Sequence, residues 1–188
     1  LQSLRRLRDA IKQRETDIFR ALSQDLGKSG SESYMCEVGL VYSEITYLLR
    51  HLPALAKERR VPTPLAQFPS RRYLKPVPYG TVLIMSPWNY PFLLTMDPLV
   101  DALAAGNTAI LKPSAYSPHT SRVIEELIAQ CFQPAHAAVV TGGREENQAL
   151  LSQKFDYIFF TGGKAAGRFV MEQAAKTLTP VSLELGGK

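Results

Sequence analysis

Cysteine is scarce in this sequence, and long apolar runs are missing. The two cysteines, Cys36 and Cys131, stand far apart, so neither a disulfide framework nor a CxxC metal site is expected. No apolar stretch approaches the roughly 20 residues that span a bilayer, and no charged segment followed by apolar residues opens the chain. We therefore expect a cytoplasmic protein with no metal site and no membrane span.

The basic excess, a net charge of +5, is not arranged as in nucleic-acid-binding proteins. Its main clusters, residues 57–60 and Arg71 with Arg72, lie beside prolines and form no stripe interleaved with aromatic residues. They favour a solvated surface or a subunit contact, with attraction of an anionic ligand such as a phosphorylated cofactor as the alternative. No nucleic-acid partner is expected.

The first part of the chain has helical periodicity. One amphipathic helix, ended by Gly27, is predicted from apolar residues at helical spacing, which only Arg14 and Glu15 interrupt: Leu4, Leu7, Ile11, Ile18 and Leu22. Ser29 with Glu32 predicts the start of a second helix, whose apolar face carries Tyr34, Val38, Val41, Ile45, Leu48 and Leu52. The two are expected to form a hairpin within residues 1–65. A proline-punctuated segment with an exposed strand at 71–75 follows.

From Gly80 onward, short apolar runs alternate with segments of helical length. The runs at 81–85, 108–111, 137–140, 157–160 and 181–185 predict buried parallel strands, and the segments between them are long enough for crossover helices. The predicted fold is α/β, with a doubly wound, mainly parallel Rossmann-like sheet at 79–188 preceded by the helical hairpin. Ligands bind such sheets beyond the carboxyl ends of the strands.

Four strand ends carry candidate chemistry. Asn89 lies in a loop held by two prolines, and its amide either donates to an oxyanion or caps the next helix. Lys112 after the second strand either meets a phosphate or ribose hydroxyl or is a solvated charge. Residues 161–167 lead directly into a helix, whose N-terminus favours an anion. Glu184 at the last strand end is either a structural or solvated carboxylate or a general base with a pKa raised by partial burial.

The joint order of these segments resembles the aldehyde dehydrogenase family. The similar motifs are Ser-Pro-Trp-Asn-Tyr-Pro-Phe, Ala-Ala-Gly-Asn-Thr-Ala-Ile-Leu-Lys-Pro-Ser, Phe-Thr-Gly-Gly and Leu-Glu-Leu-Gly-Gly-Lys. Asp-Leu-Gly-Lys-Ser from Asp25 and Glu-Ser-Tyr-Met-Cys-Glu-Val-Gly from Glu32 are most similar to the class 3 branch. The resemblance covers essentially the whole chain.

The resemblance implies oxidation of an aldehyde to a carboxylic acid, with hydride transfer to NAD or NADP, through a cysteine thiohemiacetal and thioester. It implies that Asn89 donates to the oxyanion and that Glu184 activates the hydrolytic water. Lys112 would contact the adenosine ribose, and Gly162 with Gly163 the pyrophosphate. The implied cofactor site comprises Met85, Ser86, Trp88, Lys112, Ser114, Ala115, Gly142, Thr161, Gly162, Gly163, Gly167 and Leu185.

Two positions depart from the family pattern. Many relatives have serine where Gly163 stands. Ala115 stands where members that prefer NAD place a glutamate on the adenosine ribose hydroxyls, so a 2′-phosphate would meet no like charge there.

The chain begins without methionine and ends within a glycine motif, so it is expected to be a fragment, and the resemblance implies that the catalytic domain is largely absent from it. The resemblance implies that the nucleophilic cysteine follows the Glu184 motif and lies beyond Lys188; Cys36 and Cys131, which both fall in predicted helices, do not fit that place. The resemblance also implies a homodimer, with residues 66–78 as the oligomerisation arm, and an aromatic or medium-to-long aliphatic aldehyde substrate. The alternatives are a non-catalytic NAD(P)-binding relative and an acylating, thioester-forming reductase, against which Glu184 argues.

Overall fold

Four helices form the N-terminal layer of the computed structural model, which describes residues 1–186. They are α1 (Gln2–Gln13), α2 (Glu15–Leu26), α3 (Gly30–Ser33) and α4 (Gly39–Leu55), with a π-helical turn at Tyr34–Val38 before α4. Gly27 ends α2 in the left-handed conformation, with φ at 69°. The Ser29 hydroxyl caps α3 by accepting from the Glu32 amide. Both boundaries confirm the sequence prediction.

The first predicted helix is divided in two at Arg14. Its φ of −107° and ψ of 14° leave the helical region, and its guanidinium pairs with Glu126 on a distant helix at 2.6 Å. The prediction of one continuous helix was wrong because the apolar spacing persists across the break, and Ile11 and Ile18 are both fully buried. Apolar periodicity reports which side chains face the core, and it does not report a one-residue break in the backbone.

The π-helical turn shifts the face that the second predicted helix buries. A π-turn inserts an extra residue into the helical repeat and so rotates the residues that flank it. Tyr34, predicted to be in the core, is 47% exposed, whereas Glu37 is 0% exposed. Val38 and Val41 return to the core as predicted. Glu37 is therefore a buried carboxylate that helical periodicity alone does not reveal.

An exposed antiparallel ribbon follows the helices. It consists of β1 (Arg59–Val61) and β2 (Arg72–Leu74), with a short 3-10 turn at Leu65–Gln67 between them. Strand β2 confirms the centre of the predicted 71–75 strand and is exposed along its whole length. Large apolar side chains in this region are also exposed, among them Leu65 and Phe68.

The remaining elements build a five-stranded parallel sheet with a helix after each of its first four strands. They are β3 (Thr81–Met85), α5 (Leu93–Ala104), β4 (Thr108–Lys112), α6 (Pro118–Cys131), β5 (Ala137–Val139), α7 (Arg144–Leu151), β6 (Tyr157–Gly162), α8 (Lys164–Ala175) and β7 (Val181–Leu185). The strand order is β5-β4-β3-β6-β7. The doubly wound α/β prediction is confirmed. Because the chain builds outward on both sides of β3, the β3–β6 boundary is the switch point where such sheets bind ligands.

Alternate side chains of the sheet enter two separate cores. Val82 and Ile84 of β3 pack in the core that contains α1, α2, α4, α5 and α6, whereas Leu83 and Met85 pack with α7 and α8. The N-terminal helices thus share one core with α5 and α6. The N-terminal layer also contacts the loop that follows β3 and the start of α6, which follows β4.

Candidate functional site

A cavity of about 630 Å³ opens beyond the carboxyl ends of the central strands. Its lining includes six of the residues implied by the resemblance: Met85, Ser86, Lys112, Ser114, Ala115 and Gly142. It also includes residues of α7 and α8 that sequence reasoning missed, among them Arg144, Asn147, Gln148 and Phe169. The lining contains two cationic side chains, Lys112 and Arg144, and no Asp or Glu. The cavity therefore favours an anionic ligand.

Lys112 is a buried, fixed donor in the cavity wall. Its side chain is 3% exposed, and Nζ donates to the carbonyls of Pro113 at 2.9 Å and Gly142 at 2.6 Å. These bonds join the loop after β4 to the loop after β5. Burial lowers the pKa of Lys112 from its ordinary value, against the opposing charge of Glu146. The solvated-charge interpretation of Lys112 is therefore wrong.

Ser114 and Ala115 follow Lys112 at the cavity edge. The Ser114 hydroxyl accepts from the Tyr116 amide at 3.2 Å, which leaves its own proton free to donate. Ala115 is exposed and lines the cavity. A ligand at this edge thus meets a hydroxyl donor and a small apolar side chain.

Trp88 and Asn89 are exposed on the loop between β3 and α5. No side chain of that loop caps α5. Glu37 fills this role, because its Oε2 accepts from the amides of Phe92 at 2.8 Å and Leu93 at 3.1 Å. The interpretation of Asn89 as a helix cap is therefore wrong, and its amide stays exposed at the strand end.

Ser86, at the other end of this loop, has its hydroxyl in an internal hydrogen bond. It pairs with Thr95 Oγ1, which donates to the Pro91 carbonyl at 2.7 Å. Ser86 lines the cavity, but its hydroxyl serves to attach the start of the loop to α5.

The segment after Thr161 carries β6 into α8. Gly163 stands at the N-cap, and a side-chain carbon added there would meet nothing within 4 Å, so the space before the helix N-terminus is open to an anion. Gly162 ends β6, and Thr161 Oγ1 is buried without a hydrogen-bond partner among the described residues. Gly167 instead packs against Leu185, whose Cδ2 would lie 2.5 Å from an added carbon. Gly167 is thus a close contact between α8 and β7.

Glu184 lies across β6 from the Asn89 loop. Met85, Phe160 and Leu183 are in register across β3, β6 and β7, which places the ends of β3 and β7 roughly 10 Å apart. Side chains alternate along β7, and Leu185 faces α8, so Glu184 points to the face that carries α5. Glu184 is exposed, and the partial burial expected of it is not provided by the described residues.

These features suit a dinucleotide. The open N-terminus of α8 fits a pyrophosphate, and Lys112 with Ser114 fits the polar groups of a ribose. The cavity volume lies in the range of small-molecule sites.

Neither cysteine belongs to this site. Cys131 is buried at the end of α6, where burial raises the pKa of its thiol, and Cys36 lies in the π-helical turn. Within residues 1–186, no group of three or more His, Cys, Asp or Glu side chains is placed to hold a metal ion. The helices described there are too short or too polar to cross a membrane.

The family model for the aldehyde dehydrogenase family matches residues 1–188. The chain belongs to the aldehyde dehydrogenase family. It is 46% identical to the 4,4'-diaponeurosporen-aldehyde dehydrogenase of Staphylococcus aureus and 47% identical to aldehyde dehydrogenase family 3 member A2 of Rattus norvegicus, in each case over its whole length. The resemblance to class 3 is thereby confirmed.

Solved aldehyde dehydrogenase structures share this fold. The substrate-bound Staphylococcus aureus enzyme superposes with a TM-score of 0.98 at 46% identity over the whole chain and 41% of its own length. A Mycobacterium tuberculosis aldehyde dehydrogenase complexed with NAD⁺ gives 0.87 at 28% identity, over the whole chain and 38% of its own length. The chain spans 41% and 39% of the two sequence relatives. Members of this family oxidise aldehydes with NAD or NADP, and related structures bind these cofactors.

Replacing Lys112 with methionine tests its role as a fixed donor. Lys112→Met keeps the apolar stem but removes both bonds to the carbonyls of Pro113 and Gly142. We expect a loss of about 1–3 kcal/mol in the free energy of unfolding, measured by urea titration. Lys176→Met, which removes only an exposed bond to Gln173, is the control and should change it little. Equal effects of the two substitutions would contradict the assignment.

Proposed function

We propose that this chain is the cofactor-binding part of an aldehyde dehydrogenase that converts an aldehyde to a carboxylic acid. The observation that carries the proposal is the placement of Asn89 and Glu184, both exposed, on either side of the β6 end. One supplies an amide donor and the other a carboxylate. These are the two groups that thioester chemistry needs from this part of the protein.

The cysteine nucleophile of the proposed reaction lies beyond Lys188. The Asn89 amide would donate a hydrogen bond to the oxygen that becomes negative when the thiol adds to the aldehyde. Glu184 would take a proton from the water that attacks the thioester. Bound NAD(P) would accept the hydride. Lys112, Ser114 and the N-terminus of α8 would hold the cofactor, so the 188 residues alone are proposed to bind it without turning over aldehyde.

The proposed substrates are aromatic or medium-to-long aliphatic aldehydes, the class that the resemblance to the class 3 branch implies. The Staphylococcus aureus relative is named a 4,4'-diaponeurosporen-aldehyde dehydrogenase. We further propose that the protein works in the cytoplasm.

Glu184→Gln tests the base in a polypeptide that extends past Lys188 to the nucleophile. Only hydrolysis of the thioester needs activated water, so the first burst of NAD(P)H should remain in rapid-mixing measurements. Steady-state turnover should fall by about 10²-fold or more. Glu172→Gln, an exposed carboxylate on α8, is the control and should leave both phases unchanged.

Loss of the burst together with turnover would show that Glu184 acts before the thioester forms. An unmodified protein that binds NAD(P) but oxidises no aldehyde would instead favour a non-catalytic relative.

We also propose that NADP is used at least as well as NAD. Three features support this: Ala115 presents no carboxylate, Arg144 lines the same cavity, and the Ser114 hydroxyl keeps its proton free. A 2′-phosphate placed there would meet cationic and neutral donors.

Ala115→Glu tests this preference through binding to the 188-residue chain. A carboxylate there accepts from both ribose hydroxyls of NAD and repels the extra phosphate of NADP. Calorimetric titration should show the ratio of dissociation constants shifting toward NAD by roughly tenfold, about 1.4 kcal/mol. Ala115→Gln has the same shape without the charge and should shift the ratio less. Strong rejection of NADP by the unmodified chain would contradict the proposal.

We propose that residues 66–78 and the adjoining ribbon contact a second copy of the intact protein. The exposed apolar side chains of Leu65, Phe68 and Val77 support a covered surface. Sedimentation velocity of the extended polypeptide should show a dimer, and Leu65→Glu should weaken it. Leu178→Glu, an exposed leucine outside the ribbon, is the control. A monomeric unmodified protein at micromolar concentration would contradict the proposal.

A further inference from the structure

The two N-terminal motifs most similar to class 3 have no part in the proposed cofactor contacts. They contribute Lys28 and Glu37, which form a buried ion pair with 2.6 Å between Nζ and Oε1. The Lys28 side chain is 8% exposed and the Glu37 side chain 0% exposed. Buried charges of this kind are rare unless they are paired and hydrogen-bonded, so their remaining partners are informative.

Every other bond that the pair makes goes to the loop between β3 and α5 or to the helix start that follows it. Lys28 Nζ donates to the Asn89 carbonyl at 3.0 Å and lies 4.1 Å from the centre of the Tyr90 ring. Glu37 Oε2 accepts from the first amides of α5, those of Phe92 and Leu93. The cation thus holds the middle of the loop, and the carboxylate holds its end.

A buried ion pair adds little net stability, because the cost of desolvating two charges offsets their attraction. It does fix geometry, since each charged group must keep all its partners in place. The two prolines of the loop restrict φ at Pro87 and Pro91, and Pro91 also restricts Tyr90 before it, but Trp88 and Asn89 carry no such restriction. The Lys28 bond falls on one of these two, Asn89 itself.

We propose that Lys28 and Glu37 are positioning residues that hold the Asn89 loop in the conformation needed for its amide to reach the reacting oxygen. The catalytic consequence rests on the proposed function, whereas the restraint on the loop does not. A displacement of about 1 Å in a catalytic donor can cost about 10²-fold in rate, so a restraint on the Asn89 backbone has a measurable effect.

The variants must separate positioning from folding. Lys28→Met alone leaves the buried Glu37 carboxylate without its cation, and Glu37→Gln alone leaves the buried Lys28 ammonium without its anion. Each single substitution is therefore expected to destabilise the fold. The double variant, Lys28→Met with Glu37→Gln, leaves no unpaired charge, and the glutamine oxygen can still accept from the α5 amides. It nevertheless lacks the donor to the Asn89 carbonyl. Arg14→Met is the control, because it removes an ion pair to Glu126 that does not touch the loop.

The single tryptophan of the chain, Trp88, adjoins Asn89 and is 52% exposed, so its fluorescence reports on this loop alone. The double variant should be more stable to urea than either single variant. Its Trp88 anisotropy should nevertheless decay faster than in the unmodified chain. Arg14→Met should leave the Trp88 signal unchanged. If the Trp88 anisotropy decayed in the double variant as it does in the unmodified chain, the proposal would be overturned, because the prolines would then suffice to hold the loop.

The catalytic consequence is measured in the polypeptide that extends to the nucleophile. In the double variant kcat for aldehyde oxidation should fall by about tenfold or more, while the dissociation constant of NAD(P) changes by less than about twofold. The single variant Lys28→Arg keeps a cation beside Glu37, so its kcat should lie between that of the double variant and that of the unmodified protein. A parallel loss of cofactor affinity would mean a general structural role and would overturn the proposal. If the unmodified extended polypeptide oxidised no aldehyde, the proposed function would be overturned. The Trp88 measurement would still decide whether Lys28 and Glu37 restrain the loop.

Discussion

The buried contact between Lys28 and Glu37 constrains four segments of this molecule at once. It joins the α2–α3 connection, the π-helical turn, the loop after β3 and the first turn of α5 in one network. Each charge lies in a low-dielectric interior, where a missing partner is costly. These four segments must therefore adopt their conformations together. The N-terminal helices are in this sense part of the site, although they do not line the cavity.

A second carboxylate extends the same arrangement to the neighbouring loop. Asp25, at the end of α2, accepts from the amides of His119 at 3.1 Å and Thr120 at 2.7 Å, the first turn of α6. Helix α6 follows the loop that contains Lys112, Ser114 and Ala115. Carboxylates from the N-terminal layer thus accept from the first amides of α5 and α6, the helices that follow β3 and β4, where the helix dipole also favours negative charge.

The sequence predicts what local patterns encode and misses what depends on distant partners. The strands of the sheet are near-continuous apolar runs bounded by turns, so their positions and the doubly wound fold class were predictable. The break at Arg14 was not, because its bond to Glu126 spans 112 residues. Glu37 has partners 55 and 56 residues away, so spacing along the chain indicates no role for it. Lys112 was a candidate from its place after β4, but its bond to a carbonyl 30 residues away, which fixes it in the cavity wall, was not predictable. Arg144 and Asn147 lie on a helix, where cavity-lining and solvated polar residues look alike.

Gly142 shows how a predicted site position can have more than one physical reason. A glycine at a strand end predicts close approach of a ligand, and Gly142 does line the cavity. Its φ of 123°, however, and an added carbon 2.4 Å from Glu146 Cδ, already require glycine there. Glu146 accepts from the Gly143 amide, and bonds from backbone amides lower its pKa from the ordinary value. This carboxylate therefore stays ionised and bound to the start of α7, outside the cavity lining, so that the charge facing a ligand comes from Lys112 and Arg144.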